Sequence, residues 1–164
     1  MKAFRFAEYA LVGAAATWLM DRADKLVYQV QSEDVHEREA AVEDLTGPGQ
    51  LARRVMRAAG HEPSHDEAVA AGRLVHVAFG ISAALAYAIL SKPLPWLRGG
   101  CGLVYGLALA PANIIVVPAV GLTPPAWKFP AQTTVRSILY HIAYGVSLES
   151  LARLLHLHDD APAS

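Results

Sequence analysis

From residue 99 to residue 126 the chain runs 28 positions without an Asp, Glu, Lys or Arg, and from 74 to 91 it runs another 18. Roughly 20 apolar residues, at 1.5 Å each, cross a ~30 Å hydrocarbon core. A helix on the surface of a soluble domain shows a charged face every three or four residues instead, and residues 74–91 show none. A chain of 164 residues cannot hide several such helices inside itself. The pattern predicts membrane helices.

The charges sharpen this. Residues 21–73 carry 18 of them, seven basic and eleven acidic, while the other 111 residues carry 11. A solvated, net acidic loop attached to apolar spans has this contrast. The overall charge of −1 offers no basic surplus for nucleic acid. The single cysteine, Cys101, excludes an internal disulfide framework and any CxxC site.

Four spans are predicted, at about 4–20, 72–91, 99–120 and 135–157. Charges interrupt the first (Arg5, Glu8) and the last (Glu149, Arg153), so these must lie near an end or face the interior. Glu8 and Trp18 do not suit a cleavable signal peptide, which makes the first segment an uncleaved span. The expected fold is all-α, a four-helix transmembrane bundle in one domain (1–164) with a helical extramembrane loop over about 21–71.

Within that loop Leu26, Val27 and Val30 keep helical spacing beyond the first span, and Thr46-Gly47-Pro48-Gly49 breaks what precedes it. Residues 50–59 read as an amphipathic helix, Leu51, Val55 and Met56 opposite Arg53, Arg54 and Arg57. Such a helix suits either an anionic membrane surface or ordinary packing on the loop. Ser64 and Glu67 form a capping box that starts the next helix.

The pattern H-[VI]-A-[FY]-G-[IV]-S occurs at His76–Ser82 and again at His141–Ser147. It suggests two similar helical hairpins, or chance likeness between Ala/Val-rich helices. Each histidine shares a face with a glycine four residues on, Gly80 or Gly145, and glycine permits close approach of a helix or a flat ligand. The candidate intramembrane polar site is His76, His141, Glu149 and Asn113. Paired histidines suit proton transfer or axial haem ligation, and equally a hydrogen bond to a backbone carbonyl. Glu149 reads as a bundle-facing carboxylate or as an i,i+4 partner of Arg153. Gly102, Gly106 and Ala110 make a small-residue stripe for packing within or between protomers. Pro111 and Pro118 predict a kinked or unwound third span. No metal site is assigned: His61/His65 and His156/His158 with Asp159 and Asp160 lack enforced geometry and read as solvated.

At the end of the third span the chain reads Pro118-Ala-Val-Gly121-Leu122-Thr123-Pro124-Pro125, then Pro130, His141 and Glu149. These residues resemble the YagU-like family of small bacterial inner-membrane proteins, and the likeness extends back through residues 99–106, Tyr87 and His76 over roughly the C-terminal 90 residues. It implies location and fold more than activity, with a loose association with acid resistance. Physically, Gly121, Thr123, Pro124 and Pro125 form either a sharp turn ending the span or a ligand gate.

The leading function class is a multi-pass, non-enzymatic accessory or stress-related component of the bacterial inner membrane. It would contact lipid, self-associate, carry no cofactor and keep both termini cytoplasmic. A second class is a small channel or proton-linked transporter using the His/Glu set. The third is a haem- or quinone-binding redox protein, with haem b between the two histidines.

Overall fold

The computed structural model describes residues 3–158, with side chains from residue 5 onward; Lys2 and the candidate metal ligands Asp159 and Asp160 lie outside the described residues. Every regular element among them is helical: α1 (Ala3–Gln29), α2 (Glu33–Val42), α3 (Gly47–Ala58), α4 (His65–Leu90), α5 (Leu103–Pro111), α6 (Val117–Ala119) and α7 (Ala131–Leu154), with short 3-10 turns at Pro95–Arg98 and Ala126–Lys128.

The local chemistry explains the boundaries. Leu26 and Val27 carry α1 past its apolar part to Gln29, as their spacing predicted. Ser64 and Glu67 close a reciprocal capping box, the Ser64 N–H donating to the Glu67 carboxylate at 2.8 Å, and so start α4. The Thr46-Gly47-Pro48-Gly49 break also opens α3, three residues earlier than expected. Proline is tolerated in a first helical turn, where its missing N–H has no partner to lose. Between Pro111 and Pro118 the third apolar segment leaves the regular α-helical ladder. It widens into a π-helix, Ala112–Val116, in which the Val117 N–H reaches back to the Ala112 carbonyl.

α1 packs on both α4 and α7, α5 packs on α7, and α3 lies along α4. The core is narrow, with Tyr9 and Ala16 of α1 meeting Ala84 and Tyr87 of α4 and Tyr144 and Leu148 of α7. Outward faces stay apolar: Leu11 and Leu74 are each 74% exposed, Ile115 63% and Trp127 84%. So much exposed apolar surface marks contact with something other than water.

Among the described residues one helix, α4, is able to cross a membrane by length and composition, and Leu103–Ala119 is apolar but shorter. α1 and α7 are long enough at 27 and 24 residues but carry Arg5, Glu8 and Asp21, and Arg136, Glu149 and Arg153 respectively. The structure therefore supports an all-helical fold with one clear span, a coarser result than the expected four.

Candidate functional site

The expected polar site is divided between the two ends of the bundle. At the terminal end the chain's beginning and end meet, the Arg5 guanidinium donating to the His156 carbonyl at 2.9 Å. Here Glu149 on α7 is fully buried, at 0% exposure. Its carboxylate accepts from the Tyr87 hydroxyl of α4, from Arg153 Nε at 2.6 Å and from His158 Nε2 at 2.8 Å. The expected Glu149–Arg153 pair is thus one of three contacts.

His158 corrects the expectation of a solvated histidine tail. His156 adopts the left-handed conformation (φ 51°) just past α7, and the Leu157 N–H reaches back to the Ala152 carbonyl at 2.9 Å. This cap turns Leu157 into the core and points His158 at Glu149, with Tyr9 beside its other ring nitrogen at 3.4 Å. Arg98, from the α4–α5 connection, acts electrostatically on Tyr9 and Tyr87.

The middle of the bundle is closed by direct helix contact. A Cβ added to Gly80 would strike the Thr17 hydroxyl on α1, and one added to Gly13 would lie 2.6 Å from Ala84. A Cβ on Gly145 would strike the Gly102 carbonyl and lie 2.5 Å from the Gly106 N, while one on Gly106 would strike the His141 carbonyl. Each glycine of the repeated histidine segment therefore sits against a small-x-x-x-small step, Gly13/Thr17 for Gly80 and Gly102/Gly106 for Gly145. The Gly102–Gly106 stripe faces α7 of its own chain. Tyrosine hydroxyls tie the crossings together, Tyr105 donating to the Ala83 carbonyl at 2.6 Å and Tyr144 to the Gly80 carbonyl at 2.5 Å.

The two histidines have different partners. His76 Nε2 stands 3.1 Å from an Asp21 carboxylate oxygen on α1. His141 Nδ1 lies 2.7 Å from the Ser137 carbonyl one turn back on its own helix, and donates to it when that nitrogen carries the proton. Asn113, within the π-helix, donates to Ser137 Oγ at 3.0 Å and to the Tyr140 hydroxyl at 3.1 Å. A π-helix re-aims side chains relative to an α-helix and so turns Asn113 to α7.

Above this polar floor stands Arg136, in the second turn of α7. It pairs with Asp24 of α1 at 3.1 Å and Glu39 of α2 at 2.9 Å, donates to Gln31, and lies 5.0 Å from the Tyr28 ring centre. The Arg136–Asp24 contact is an ion pair by distance without hydrogen-bond geometry, since Asp24 Oδ1 and Arg136 Nε find no hydrogen-bond partner. Burial pushes the Asp24 carboxyl up, against the pull of Arg136. Glu43 is pushed up to about 7, first by burial and then by the neighbouring Asp44, and one of its buried oxygens accepts no hydrogen bond.

The turn after α6 is bolted down. Gly121 takes a left-handed φ of 72°, and Arg54 of α3 donates to the Val120 carbonyl at 3.3 Å and to that of Gly121. Thr123 sits against Gly47 at the start of α3, and Pro124-Pro125 leads into the next short turn. The other α3 arginines are also engaged, Arg53 with Asp44 at 2.9 Å and Arg57 with Glu62. α3 packs along α4, with Gly49 against Gly72, while its Val55 stays 59% exposed.

Sequence reasoning did not find Tyr9, Arg136, Tyr140, Tyr144 or His158 as members of these clusters. Tyr144 had a readable signal, since it occupies the [FY] position of the repeat immediately before Gly145.

The family described as "Protein of unknown function (DUF1440)" matches residues 56–150. The "Inner membrane protein YagU" of Escherichia coli (strain K12) is 31% identical over 81 residues, which are 49% of this chain and 40% of that protein. The alignment therefore spans less than half of that relative's length. No solved structure matches the chain.

Proposed function

The chain belongs to the DUF1440 family, and from that premise we propose that it is a multi-pass inner-membrane protein of accessory, non-enzymatic type. α1, α4, α5–α6 and α7 make the four crossings, with both termini and the α4–α5 connection on the cytoplasmic face. The likeness to an inner-membrane protein supports the location. The apolar outer faces support lipid as the partner, as do Trp96 (58% exposed) and Trp127, which stand on the connections at opposite ends of the third crossing. The stress-related role implied by the resemblance belongs to the same proposal.

One observation carries the accessory reading over a transporter. Glu149, His141, His76 and Asn113 each point at a protein partner, and the crossings between them are closed by backbone contact. A conducting site needs carboxylates and imidazoles that face a wet path and can release what they hold. Here the hydroxyls of Tyr105 and Tyr144 end on backbone carbonyls, which cannot pass a proton onward. Proteoliposomes under a pH gradient test this. Wild type, His141→Ala and Glu149→Gln should all leak at the rate of empty vesicles. A flux in wild type that either substitution abolishes would replace the accessory role with proton-linked transport.

The same proposal carries no haem. The face beside each histidine is filled by another helix, Gly80 meeting Thr17 and Gly145 meeting Gly102 and Gly106, which leaves no room there for a flat ligand. An absorbance scan after haem-replete expression should show no Soret band, and a stoichiometric band would restore the redox reading.

A further inference from the structure

α2 is unlike every other long element of this protein. It has ten residues, one of them buried (Val35), and it is bounded by non-helical breaks at Ser32 and Glu43. An isolated helix of this length is marginal in water, and a single buried valine does little to order it. Polar and aromatic contacts tie α2 to the bundle, among them His36 Nε2 at 2.9 Å from the Tyr28 carbonyl. Glu39 accepts from Arg136 at 2.9 Å and from the Thr133 hydroxyl, both on α7. His36 stacks on Tyr28 of α1 with ring centres 3.8 Å apart, and Arg136 lies over the same tyrosine. Arg136 is 13% exposed and Glu39 12%, so the contact is sheltered from solvent and is screened less than a surface pair.

We propose that α2 is a lid strapped over the loop-side end of the bundle by Arg136, and that releasing the strap exposes the polar floor of Asn113, Ser137 and Tyr140. The floor lies beneath the strap by helix geometry. Tyr140 is one turn below Arg136 on the same face of α7, and Asp24, Arg136 and Glu43 all act electrostatically on its hydroxyl. Asn113 and Ser137 complete it.

The groups facing Arg136 are Asp24 and the Tyr28 ring from α1, Gln31 from the α1–α2 connection, Glu39 from α2, and Thr133 and Tyr140 from α7. Asp21 acts on Asp24 and itself pairs with His76 of α4, and His36 and Glu43 border the set. The lid rests on the four-span reading only for which solvent it faces.

Hydrogen exchange of the full chain in nanodiscs tests the lid. Arg136→Gln and Glu39→Gln should each speed exchange across residues 31–45 by about tenfold or more at pH 7.5, the scale of one lost charge-assisted hydrogen bond. α1 and α4 should keep their protection. With Cys101→Ser as background, Ser137→Cys should label about tenfold faster when Arg136→Gln is added. Unchanged lid exchange and unchanged labelling would overturn the proposal. So would loss of protection in every helix at once, because Arg136 would then hold the fold rather than the lid. Solvent-level exchange in α5 and α7 of wild type would contradict the four-span reading separately, and the lid comparison would still be readable.

Discussion

Glu149 has no solvent contact and three donors, one of them on a half-exposed side chain and one on a largely buried one. That difference orders the expected mutational effects. Arg153 is 53% exposed, so Arg153→Ala removes a screened contact worth at most about 1 kcal/mol. Glu149→Gln removes the charge itself from a buried network and should cost about 1.5–3 kcal/mol. Thermal unfolding in detergent should show a much larger fall in midpoint for Glu149→Gln than for Arg153→Ala, and equal falls would contradict this account of the cluster. Glu43 gives the opposite sign with pH. Its folded value of about 7 stands above the ordinary 4.5, so the protonated form is the stabilised one. That contribution is fully present below 4.5 and is lost as pH rises through 7. Wild type and Glu43→Gln should therefore unfold alike near pH 5, with the variant the more stable at pH 8; parallel profiles would refute it. The sequence made Glu149 a candidate because a carboxylate in an apolar stretch stands out. Nothing local distinguished Glu43 from the ten other acids of its loop, since its shift comes from burial that only tertiary packing creates.

At the scale of elements, the two crossings look alike and differ in what obstructs a methyl group. At Gly80 the obstacle is the Thr17 hydroxyl, the end of a side chain; at Gly145 it is the backbone of Gly102 and Gly106. Gly80→Ala should destabilise by about 1–3 kcal/mol, the usual cost of overpacking, and Thr17→Ala should recover a large part of it. Gly145→Ala should cost more, and no side-chain deletion on α5 should rescue it. Equal severity with equal rescue would show that the helices slide apart freely. The repeated histidine segment was legible and pointed to both glycines, because spacing of four places two residues on one face. Which helix that face meets was not legible, since one residue of rotation is 100°. The capping box of α4 and the extension of α1 were readable for the complementary reason: both are set by neighbours within one turn of chain. The π-helix between Pro111 and Pro118 was readable only as an irregularity, because two missing donors say where the ladder fails and not how it closes.

For the whole molecule, the segregation of charge along the chain was the most informative signal. It separates a loop of eleven acidic and seven basic residues from helices with apolar outer faces. The number of spans is the finer part, since among the described residues α4 is the one helix long and apolar enough by length and composition to cross a membrane. The charges that disqualify α7 are engaged within the protein: Glu149 and Arg153 in the terminal cluster, and Arg136 under the lid. Internal pairing of this kind lowers the cost of placing charged residues near a bilayer. A four-span and a one-span protein differ most simply at the third apolar segment. Cys101 precedes that segment and Trp127 follows it, and both are exposed. Sided labelling with a membrane-impermeant thiol reagent, comparing Cys101 in the unaltered chain with Trp127→Cys on a Cys101→Ser background, decides between them. The four-span account predicts that position 127 labels from outside intact cells and Cys101 labels only after the membrane is opened. Labelling of both positions from the same side would contradict it.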